Sequence, residues 1–490
     1  MNLSIDRKFN FKQISRALGG LALLESIFLL VSFAVAIYFS ESEKWHFLLS
    51  FAIAFAVGLS GLLYGRNASS QTGKREGTVI VTCTWIVFSL LGMLPYWTSG
   101  NIPSFTNAFF ETISGFTATG SSTIADVEIM PKSILFWRSM THWIGGLGII
   151  VISLAVLPIF GFSSSQLFSA EVTGVQKEKI SPKIRETAKR LLAIYLGLTI
   201  AQTLLMWCFG MSFFDAVCNS FSTVSTGGFS TKNASISYWN SSAIEWTVIG
   251  FMIASGINFS LLYYLFKGRI KKFLKDEEMR TYIFIMAIAA ILVSVSILNI
   301  NDLSWQNIGN TFRDSVFTVS SLMTTTGFYT VDYSHWTTVA FILLLLTIIG
   351  GSASSTTGGL KVVRILLVFK YCYYEFKRML HPRAVFPVRY NGKVVKEQII
   401  TRTLAYVLLF AIFALVGSAI LCLNGLDFDK SIGVMISSLS NVGPCGWMGT
   451  FDGYSSISTF SKWFLSFVML VGRLEIFTVL LIFTPDFWKK

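Results

Sequence analysis

The sequence has little charge and lacks the motifs of several enzyme classes. Asp, Glu, Lys and Arg make up 13% of its 490 residues, about half the share found in an average soluble domain. Its four histidines show no metal-ligand spacing, and no Walker-type phosphate loop occurs, which argues against a transition-metal site and an ATP-driven pump. The six cysteines form no CxxC pair and are predicted to be small buried hydrophobic residues. We therefore predict a protein that is not an enzyme and binds no organic cofactor.

Long hydrophobic runs are the main feature of the chain. Hydrophobic residues make up 53% of it, and stretches such as 21–39 and 79–97 are long enough to cross roughly 30 Å of hydrocarbon. They predict a polytopic, all-α membrane protein. The first run follows basic residues, as in a signal peptide. We interpret it as a retained first helix, because the apolar residues continue through the small-residue triplet at 34–36.

The formal net charge of +13 follows a pattern along the chain. Basic residues cluster in the connections 177–190, 267–280 and 361–402, whereas 98–131 and 299–306 contain no Lys or Arg. By the positive-inside rule the basic connections and both basic termini are cytoplasmic, so the number of spans is even. A nucleic-acid-binding function is disfavoured, because the charge forms no single patch. The basic connections could instead meet an acidic partner or lipid headgroups.

Four short segments rich in Thr, Ser and Gly recur along the chain. They read GFTATGSS at 115–122, STVSTGGFS at 222–230, SLMTTTGFY at 321–329 and SLSNVGPCG at 438–446. Their last loop glycines, here called the anchor glycines, are Gly120, Gly228, Gly327 and Gly443, spaced about 100 residues apart. This spacing predicts four repeated structural units.

Each unit shows the same order of elements. Apolar spans precede the segments at 78–97, 190–209, 281–298 and 402–423, and others follow at 139–160, 243–266, 336–360 and 461–484. Between them, about a dozen residues before each loop are too few to cross a membrane and are predicted to form half-crossing pore helices. The predicted divisions are an N-terminal helix pair at 1–75 and pore repeats at 76–175, 176–275, 276–385 and 386–490.

The recurring loops have the chemistry of a cation filter. Non-helical backbone at membrane depth is tolerated only when it is buried in protein or lines a water-filled path. Backbone carbonyls and threonine hydroxyls can replace the water around a monovalent cation, and glycine permits the positive φ that such a loop needs. Ordinary re-entrant turns or extracellular loops are the alternative, which four matched copies disfavour. This reasoning does not choose K⁺ over Na⁺ or NH₄⁺.

The chain resembles the Trk/Ktr/HKT superfamily of potassium transporters, most closely its bacterial Trk (TrkH/TrkG) branch. The resemblance covers about residues 75–490, and two extra spans at about 17–40 and 45–65 also resemble that branch. The supporting motifs are FWRSMTHWIGGLGI at 136–149, STGGFST at 225–231, GINFSLLYY at 256–264, TTTGFYT at 324–330, GGSASSTTGGLKVVR at 350–364 and GRLEIFT at 472–478. It implies four pseudo-symmetric repeats of helix, pore helix, filter loop and helix around one K⁺-selective pore.

By position, the resemblance implies which residues form the K⁺ filter. They are Thr117, Ala118, Thr119 and Gly120 (loop 1), Ser225, Thr226, Gly227 and Gly228 (loop 2), Thr324, Thr325, Thr326 and Gly327 (loop 3), and Ser440, Asn441, Val442 and Gly443 (loop 4). Glycine at every anchor position resembles the K⁺-selective members, whereas serine at the first is typical of Na⁺-permeable ones. The fourth loop is the least threonine-like, so an asymmetric ring is expected.

The resemblance also implies a gate, partners and a location. The gate segment comprises Gly350, Gly351, Ser352, Ala353, Ser354, Ser355, Thr356, Thr357, Gly358 and Gly359. Its glycines could alternatively serve close helix packing. Arg473, deep in the last span, is expected to face the pore as an electrostatic barrier and not to pair with Glu475, since residues i and i+2 do not meet on a helix. The family further implies a homodimer, a cytosolic nucleotide-binding TrkA-type regulatory subunit and the bacterial cytoplasmic (inner) membrane.

Other functions remain open at this point. A secondary transporter coupling K⁺ to H⁺ or Na⁺ could use the same loops, although such proteins usually place ionisable residues at the midplane. A less selective Na⁺ or NH₄⁺ channel is a further alternative, with ammonium disfavoured because such sites use histidine pairs. An accessory or structural membrane protein would not need four filter-like loops.

Overall fold

The computed structural model describes residues 9–68, 73–146, 148, 184–298, 305–444 and 454–488. In chain order the helices are α1 (Phe11–Tyr38), α2 (Lys44–Tyr64), α3 (Lys74–Gly92), α4 (Leu94–Thr98), α5 (Phe105–Phe116), α6 (Lys132–Gly146), α7 (Ile184–Cys208), α8 (Phe213–Val224), α9 (Ser242–Ser255), α10 (Phe259–Phe266), α11 (Ile270–Leu274), α12 (Glu277–Leu298), α13 (Trp305–Met323), α14 (Ala340–Ile349), α15 (Val362–Leu380), α16 (Glu397–Leu423), α17 (Phe428–Ser440), α18 (Thr459–Leu474), α19 (Ile476–Ile482) and α20 (Pro485–Trp488). Short 3₁₀ turns cover Ser235–Trp239 and Thr337–Val339. The predicted all-α class is confirmed.

Within the described residues, six stretches are long and apolar enough to cross a membrane: α1, α2, α3 with α4, α7, α12 and α16. Two further spans are bent pairs, α9 with α10 at 108° and α18 with α19 at 116°. The predicted N-terminal pair corresponds to α1 and α2, which pack closely. A methyl group at Gly19 of α1 would overlap the backbone of Gly58 and Gly61 in α2, so small residues permit this contact, as is common in membranes.

The predicted pore helices are α5, α8, α13 and α17. Serine side chains cap the N-termini of α5 and α8. Ser104 accepts from the Asn107 N–H and Ser212 from the Asp215 N–H. Three of the helices have 12 or 13 residues, as expected for half-crossing segments. The third, α13, has 19 residues and is longer than the dozen expected.

The sequence predicted one continuous apolar span after loop 2 at 243–266 and one after loop 4 at 461–484. In the structure each of these spans is broken into two helices. The first breaks between α9 and α10, and the Asn258 side chain caps α10 by accepting from the Ser260 N–H at 2.8 Å. The second breaks at Glu475, whose φ is +66°. In the third repeat α14 ends at Ile349, next to the gate segment. In the first repeat α6 ends at Gly146, and most of the rest of 139–160 lies outside the described residues.

A small β-hairpin in the basic connection 361–402 was not predicted. Strands β1 (Arg389–Tyr390) and β2 (Lys393–Val394) are antiparallel, with Arg389 opposite Val394. The turn residues Asn391 and Gly392 have φ of +48° and +75°, the type I′ geometry that Asn-Gly favours. The hairpin lies between α15 and α16, within the basic connection.

Candidate ion filter and gate

The four loops share one backbone conformation. The residue two places before each anchor glycine is left-handed, with φ of +52° at Ala118, +57° at Thr226, +55° at Thr325 and +54° at Asn441. The anchors Gly120, Gly228, Gly327 and Gly443 have φ of +86°, +83°, +79° and +86°. Non-glycine residues seldom adopt a positive φ, so its repetition at matching positions indicates one motif used four times.

The same hydrogen bond ends every pore helix. The N–H just before each anchor donates to a serine carbonyl five residues earlier: Thr119 to Ser114 at 2.9 Å, Gly227 to Ser222 at 2.8 Å, Thr326 to Ser321 at 2.8 Å and Val442 to Ser437 at 3.0 Å. Together with the left-handed residue, this bond forms a Schellman cap. The cap turns the chain sharply out of the pore helix and into the loop.

Contacts at the anchor glycines show that the loops form a closed ring. A Cβ atom on each would overlap a carbonyl oxygen of the next repeat: Gly120 with Gly227, Gly228 with Thr326, Gly327 with Val442, and Gly443 with Thr119. The loops are therefore arranged in the order 1, 2, 3, 4, with loop 4 beside loop 1. Any side chain at an anchor position would push adjacent loops apart.

The first hydroxyl of three loops is directed toward its own pore helix. Thr117 donates to the Ile113 carbonyl at 2.7 Å, Ser225 to Phe221 at 2.6 Å and Thr324 to Ser320 at 2.6 Å. These protons are thus engaged away from the loop, and the oxygen lone pairs stay available. Two loops also contain hydroxyl pairs, Thr117 with Thr119 at 2.7 Å and Thr324 with Thr326 at 2.8 Å.

A buried cluster on α5 and α6 supports loops 1 and 2, although sequence reasoning gave it no role. Arg138 pairs with Glu111 at 2.7 Å, and the two side chains are 5% and 0% exposed. The guanidinium also donates to the Ser230 carbonyl at 3.1 Å and lies 3.5 Å from the centre of the Phe229 ring. An unpaired charge would be costly at this burial, so the pair fixes α6 against the outer end of loop 2.

His142, one turn further along α6, contacts loop 2 directly. Its imidazole stacks on Phe229 with centroids 3.9 Å apart and an interplanar angle of 14°. Nδ1 accepts from the Phe229 N–H at 3.4 Å, and a methyl group at Gly227 would overlap the ring. The signal in the sequence was a charged residue and a histidine in the apolar motif at 136–149, which the repeat alignment does not interpret.

On the side of the anchor glycines the ring opens into a polar cavity of about 220 Å³, here called the outer cavity after its predicted side. It is lined by the anchors Gly120, Gly228 and Gly327 together with Arg138 and Lys232. The rim joins the segments after loops 1 and 2: Lys232 pairs with Glu128 at 3.4 Å, and Asn233 donates to Asp126 at 2.6 Å. The bond from Asn233 also lowers the pKa of the Asp126 carboxyl.

The two ends of the gate segment lie side by side, between the end of α14 and the start of α15. Leu360 N–H donates to the Ile348 carbonyl at 2.9 Å, Lys361 to Ile349 at 2.8 Å and Val362 to Gly351 at 3.0 Å. Residues 350–359 therefore form a closed loop between α14 and α15. Gly350 and Gly359 have φ of +73°, a conformation that glycine allows at little cost.

The gate segment lies against the pore-helix ends of the ring. Thr356 donates to the Val224 carbonyl at 3.1 Å and lies 3.4 Å from the Thr226 hydroxyl. The Gly358 N–H donates to the Thr325 hydroxyl at 2.8 Å. A methyl group at Gly358 would overlap the Ser440 carbonyl. The segment thus contacts three of the four loops or their pore helices, opposite the outer cavity.

The remaining gate residues contact neighbouring helices. Ser352 N–H donates to Gly256 at 2.9 Å, the Ser354 carbonyl accepts from Phe259 N–H at 3.2 Å, and the Ser355 hydroxyl lies 2.8 Å from that of Thr357. Lys361 donates to the Thr357 carbonyl and to its hydroxyl at 3.0 Å. The segment is held by polar contacts on both sides.

Arg473 joins the gate segment to α6. One guanidinium nitrogen donates to the Thr356 carbonyl at 2.8 Å, and the other donates to Gly145 at 2.6 Å and Gly146 at 2.8 Å. The Gly145 carbonyl also accepts from the Gly148 N–H at 3.0 Å. Glu475 pairs with Arg364 instead, as expected from the i, i+2 spacing.

Helix pairs around a ring of capped loops define a polytopic membrane protein of the cation-transport class. Residues 43–490 match the family model TrkH, a cation transport protein. The chain belongs to this family.

Known relatives match along nearly the whole chain. The sequence is 36% identical over 485 residues to the Trk system potassium uptake protein TrkH of Salmonella typhimurium, covering 98% of this chain and 100% of that protein. It is 33% identical to TrkG of Escherichia coli K12, covering 97% and 98%. The crystal structure of the potassium transporter TrkH from Vibrio parahaemolyticus aligns with a TM-score of 0.88 at 34% identity, covering 98% and 100%.

Proposed function

We propose that this chain takes up K⁺ across the bacterial cytoplasmic membrane through the ring of loops 1 to 4. The observation that supports this most directly is the cyclic contact of each anchor glycine with a carbonyl of the next loop. It brings backbone oxygens from four repeats to one axis, the ligand set that suits a dehydrated monovalent cation. The names of the relatives, which specify potassium uptake, make K⁺ the expected ion.

The filter ligands in this proposal are the sixteen loop residues 117–120, 225–228, 324–327 and 440–443. Residues 350–359 form the gate, because they cross from α14 to α15 on the side of the ring opposite the outer cavity. Arg473 holds the gate segment through Thr356 and places a positive charge beside the path. Movement of the segment would open the path, as bistable loops do in other switches.

The rest of the proposal concerns organisation. The repeats divide at 76–175, 176–275, 276–385 and 386–490 after an N-terminal pair at 1–75, with both termini in the cytoplasm. The chain works as a homodimer with a cytosolic TrkA-type nucleotide-binding subunit. Membership of a multi-component Trk system, as the names of the relatives indicate, supports such partners.

Ion flux in liposomes tests the proposal. The purified chain should admit ⁸⁶Rb⁺ down its gradient, external K⁺ should compete, and Na⁺ should compete weakly. Equal competition by Na⁺ would indicate a less selective cation channel instead. Absence of flux through a folded, correctly inserted chain, with or without an added regulatory subunit, would contradict the proposal.

A K⁺/H⁺ symporter is the second candidate, favoured by one observation. Glu25 lies in the middle of α1, is 0% exposed, and neither carboxyl oxygen has a hydrogen-bond partner among the described residues. Buried carboxyls in membrane spans often bind protons. An imposed proton gradient should leave ⁸⁶Rb⁺ flux unchanged in a channel. Gradient-driven accumulation that Glu25→Gln abolishes would favour the symporter.

A further inference from the structure

We propose that Glu278 is a positioning residue for the gate segment and links it to the cytoplasmic hairpin. The inference rests on the proposed role of residues 350–359 as the gate. It assigns a function to a buried carboxylate outside the filter and to the hairpin β1–β2.

Glu278 contacts the gate segment and the hairpin at the same time. It lies at the start of α12 and is 2% exposed. One carboxyl oxygen accepts from the Ala353 N–H at 2.5 Å, and the other lies 3.4 Å from the Tyr390 hydroxyl of β1. A single side chain therefore spans the distance between the loop beneath the filter and an element on the cytoplasmic surface.

The hairpin is attached firmly to the same end of α12. The Asn391 side chain accepts from the Glu277 N–H at 2.9 Å and donates to Asp276 at 2.7 Å. Lys370 donates to the Glu277 carboxylate and to the Arg389 carbonyl at 2.8 Å. Because these bonds join the hairpin to the first turn of α12, a displacement of the hairpin would also displace Glu278.

Apolar packing connects the same parts. A separate hydrophobic cluster contains Ala353 of the gate segment with residues of α15, α16 and the hairpin region: Val363, Leu367, Val388, Tyr390, Val395 and Ile400. Ala353 is 4% exposed and Tyr390 is 6% exposed. The gate segment thus shares its packing with the hairpin, while its other end contacts the ring.

Removal of the Glu278 carboxylate has a defined physical effect. The buried Ala353 N–H would lose its acceptor, and leaving a buried donor unsatisfied is unfavourable. The gate segment would then favour positions in which that N–H finds another acceptor or water. Since the observed position lies against the filter, we expect the alternatives to leave the path more open.

Basal ⁸⁶Rb⁺ flux through the purified chain in liposomes provides the test. Glu278→Ala should raise basal flux about tenfold, the size expected from losing one charge-assisted hydrogen bond. Glu278→Gln retains an acceptor oxygen and should stay close to wild type. Tyr390→Phe should raise flux less. The double variant Glu278→Ala/Tyr390→Phe should match Glu278→Ala, because the Tyr390 hydroxyl acts on the gate segment through the Glu278 side chain.

Two measurements separate positioning from general damage. The K⁺/Na⁺ reversal potential should stay unchanged in all these variants, because the filter loops are not altered. Hydrogen exchange of peptides covering residues 350–359 should rise in Glu278→Ala and in Tyr390→Phe. Tyr371→Phe is the matched control, since Tyr371 packs on the same cluster and is expected to leave flux and exchange unchanged.

A variant with the gate segment shortened at residues 352–357 separates the gate role of residues 350–359 from the positioning role of Glu278. Raised flux in the shortened variant with wild-type flux and exchange in folded Glu278→Ala would overturn the role of Glu278 and leave the gate standing. Wild-type flux in the shortened variant would overturn the gate itself, and this inference with it. If Glu278→Ala does not fold, Tyr390→Phe decides: wild-type flux and exchange would overturn the inference.

Discussion

Loops 1 and 3 differ from loops 2 and 4 in side chains while their backbones match. The first pair each contain two threonine hydroxyls in contact, Thr117 with Thr119 and Thr324 with Thr326. The second pair have Gly227 and Val442 at the later position and contain no such pair. Since the ring order is 1, 2, 3, 4, the matching loops lie opposite each other. The backbone conformation thus repeats fourfold around the ring, whereas the hydroxyl pair repeats only twofold.

The comparison shows which features the ring requires and which it tolerates. Positive φ at the anchor and two places earlier occurs in every loop, so the backbone path is common to all. Support from outside differs: the His142 ring fills the space beside Gly227, whereas Asn441 donates to Thr119 at 2.9 Å and to the Met469 carbonyl at 3.0 Å. The backbone path is therefore the shared feature of the four loops, and side chains adapt each loop to its neighbours.

The largest expected effect comes from adding a side chain at an anchor. Gly120→Ser would overlap the Gly227 carbonyl and strain a φ of +86°. We expect Na⁺ permeability relative to K⁺ to rise by about tenfold or more. Displaced carbonyls would change the free-energy difference between bound K⁺ and bound Na⁺, and about 1.4 kcal/mol of that difference is a factor of ten. Reversal potentials under K⁺/Na⁺ gradients measure it, and the fourfold backbone predicts similar losses for Gly228→Ala and Gly327→Ala.

Gly100→Ala is the matched control for these variants. Gly100 has φ of +77° but no atom near its missing Cβ, so it separates backbone strain from overlap with a neighbouring loop. Unchanged reversal potentials in Gly120→Ser would remove that residue from the filter.

The next effect concerns charge and attachment. Arg473→Ala removes a positive charge beside the proposed path and releases the Thr356 carbonyl, so K⁺ flux should rise several-fold. Arg473→Lys keeps the charge but loses the planar fork that reaches several carbonyls. Low flux in the lysine variant would identify the charge as the barrier, and high flux would identify the attachment. Wild-type flux in folded Arg473→Ala would contradict both roles.

A smaller effect is expected at the support of loop 2. His142→Ala leaves space beside Gly227 and removes the acceptor of the Phe229 N–H, so K⁺/Na⁺ discrimination should fall about threefold, comparable to the loss of one weak hydrogen bond. Gly227→Ala alone should be worse, because its methyl group overlaps the imidazole. The double variant should recover part of the loss. Additive losses of K⁺/Na⁺ discrimination would show that the His142 imidazole does not restrict the position of loop 2.

The smallest effect tests the twofold pattern directly. Thr119→Val and Thr326→Val each remove one hydroxyl at constant shape. The first should reduce K⁺ flux more, because Thr119 also accepts from Asn441 of the preceding loop, whereas no side chain of loop 2 donates to Thr326 in the described residues. We expect about a two- to fivefold difference, in line with one hydrogen bond. Equal effects would indicate that the hydroxyl pairs alone matter.

The sequence predicted the features that recur at a regular spacing, but not the backbone conformations and side-chain pairs that occur at single positions. The class, the N-terminal pair and the four loops followed from hydropathy and from the recurring glycines. The left-handed residues did not, because Ala118, Thr226, Thr325 and Asn441 have no common side chain. The signal available in the sequence was their position two places before an anchor glycine, together with a serine six places before each anchor.

Breaks in helices and long-range pairs were beyond the sequence pattern. The break at Glu475 has no glycine or proline next in the chain, and the residue is held there by Arg364 from another repeat. The Glu111–Arg138 pair joins two helices, and nothing in the sequence pattern indicated that these two residues would meet. The hairpin turn Asn391-Gly392 was detectable, because an Asn-Gly pair between two short stretches of alternating apolar and polar residues favours such a turn.

The bond between Asn441 and Thr119 joins residues 322 positions apart, which has a consequence for biosynthesis. Chains are made from the N-terminus, and the first elements fold before the last exist. Loop 1 therefore waits for its final neighbour until the ribosome has passed residue 443 of 490. A chain that stops before loop 4 contains three of the four loops, so its ring stays open on one side. The proposed filter can therefore close only after about nine tenths of the chain has been made.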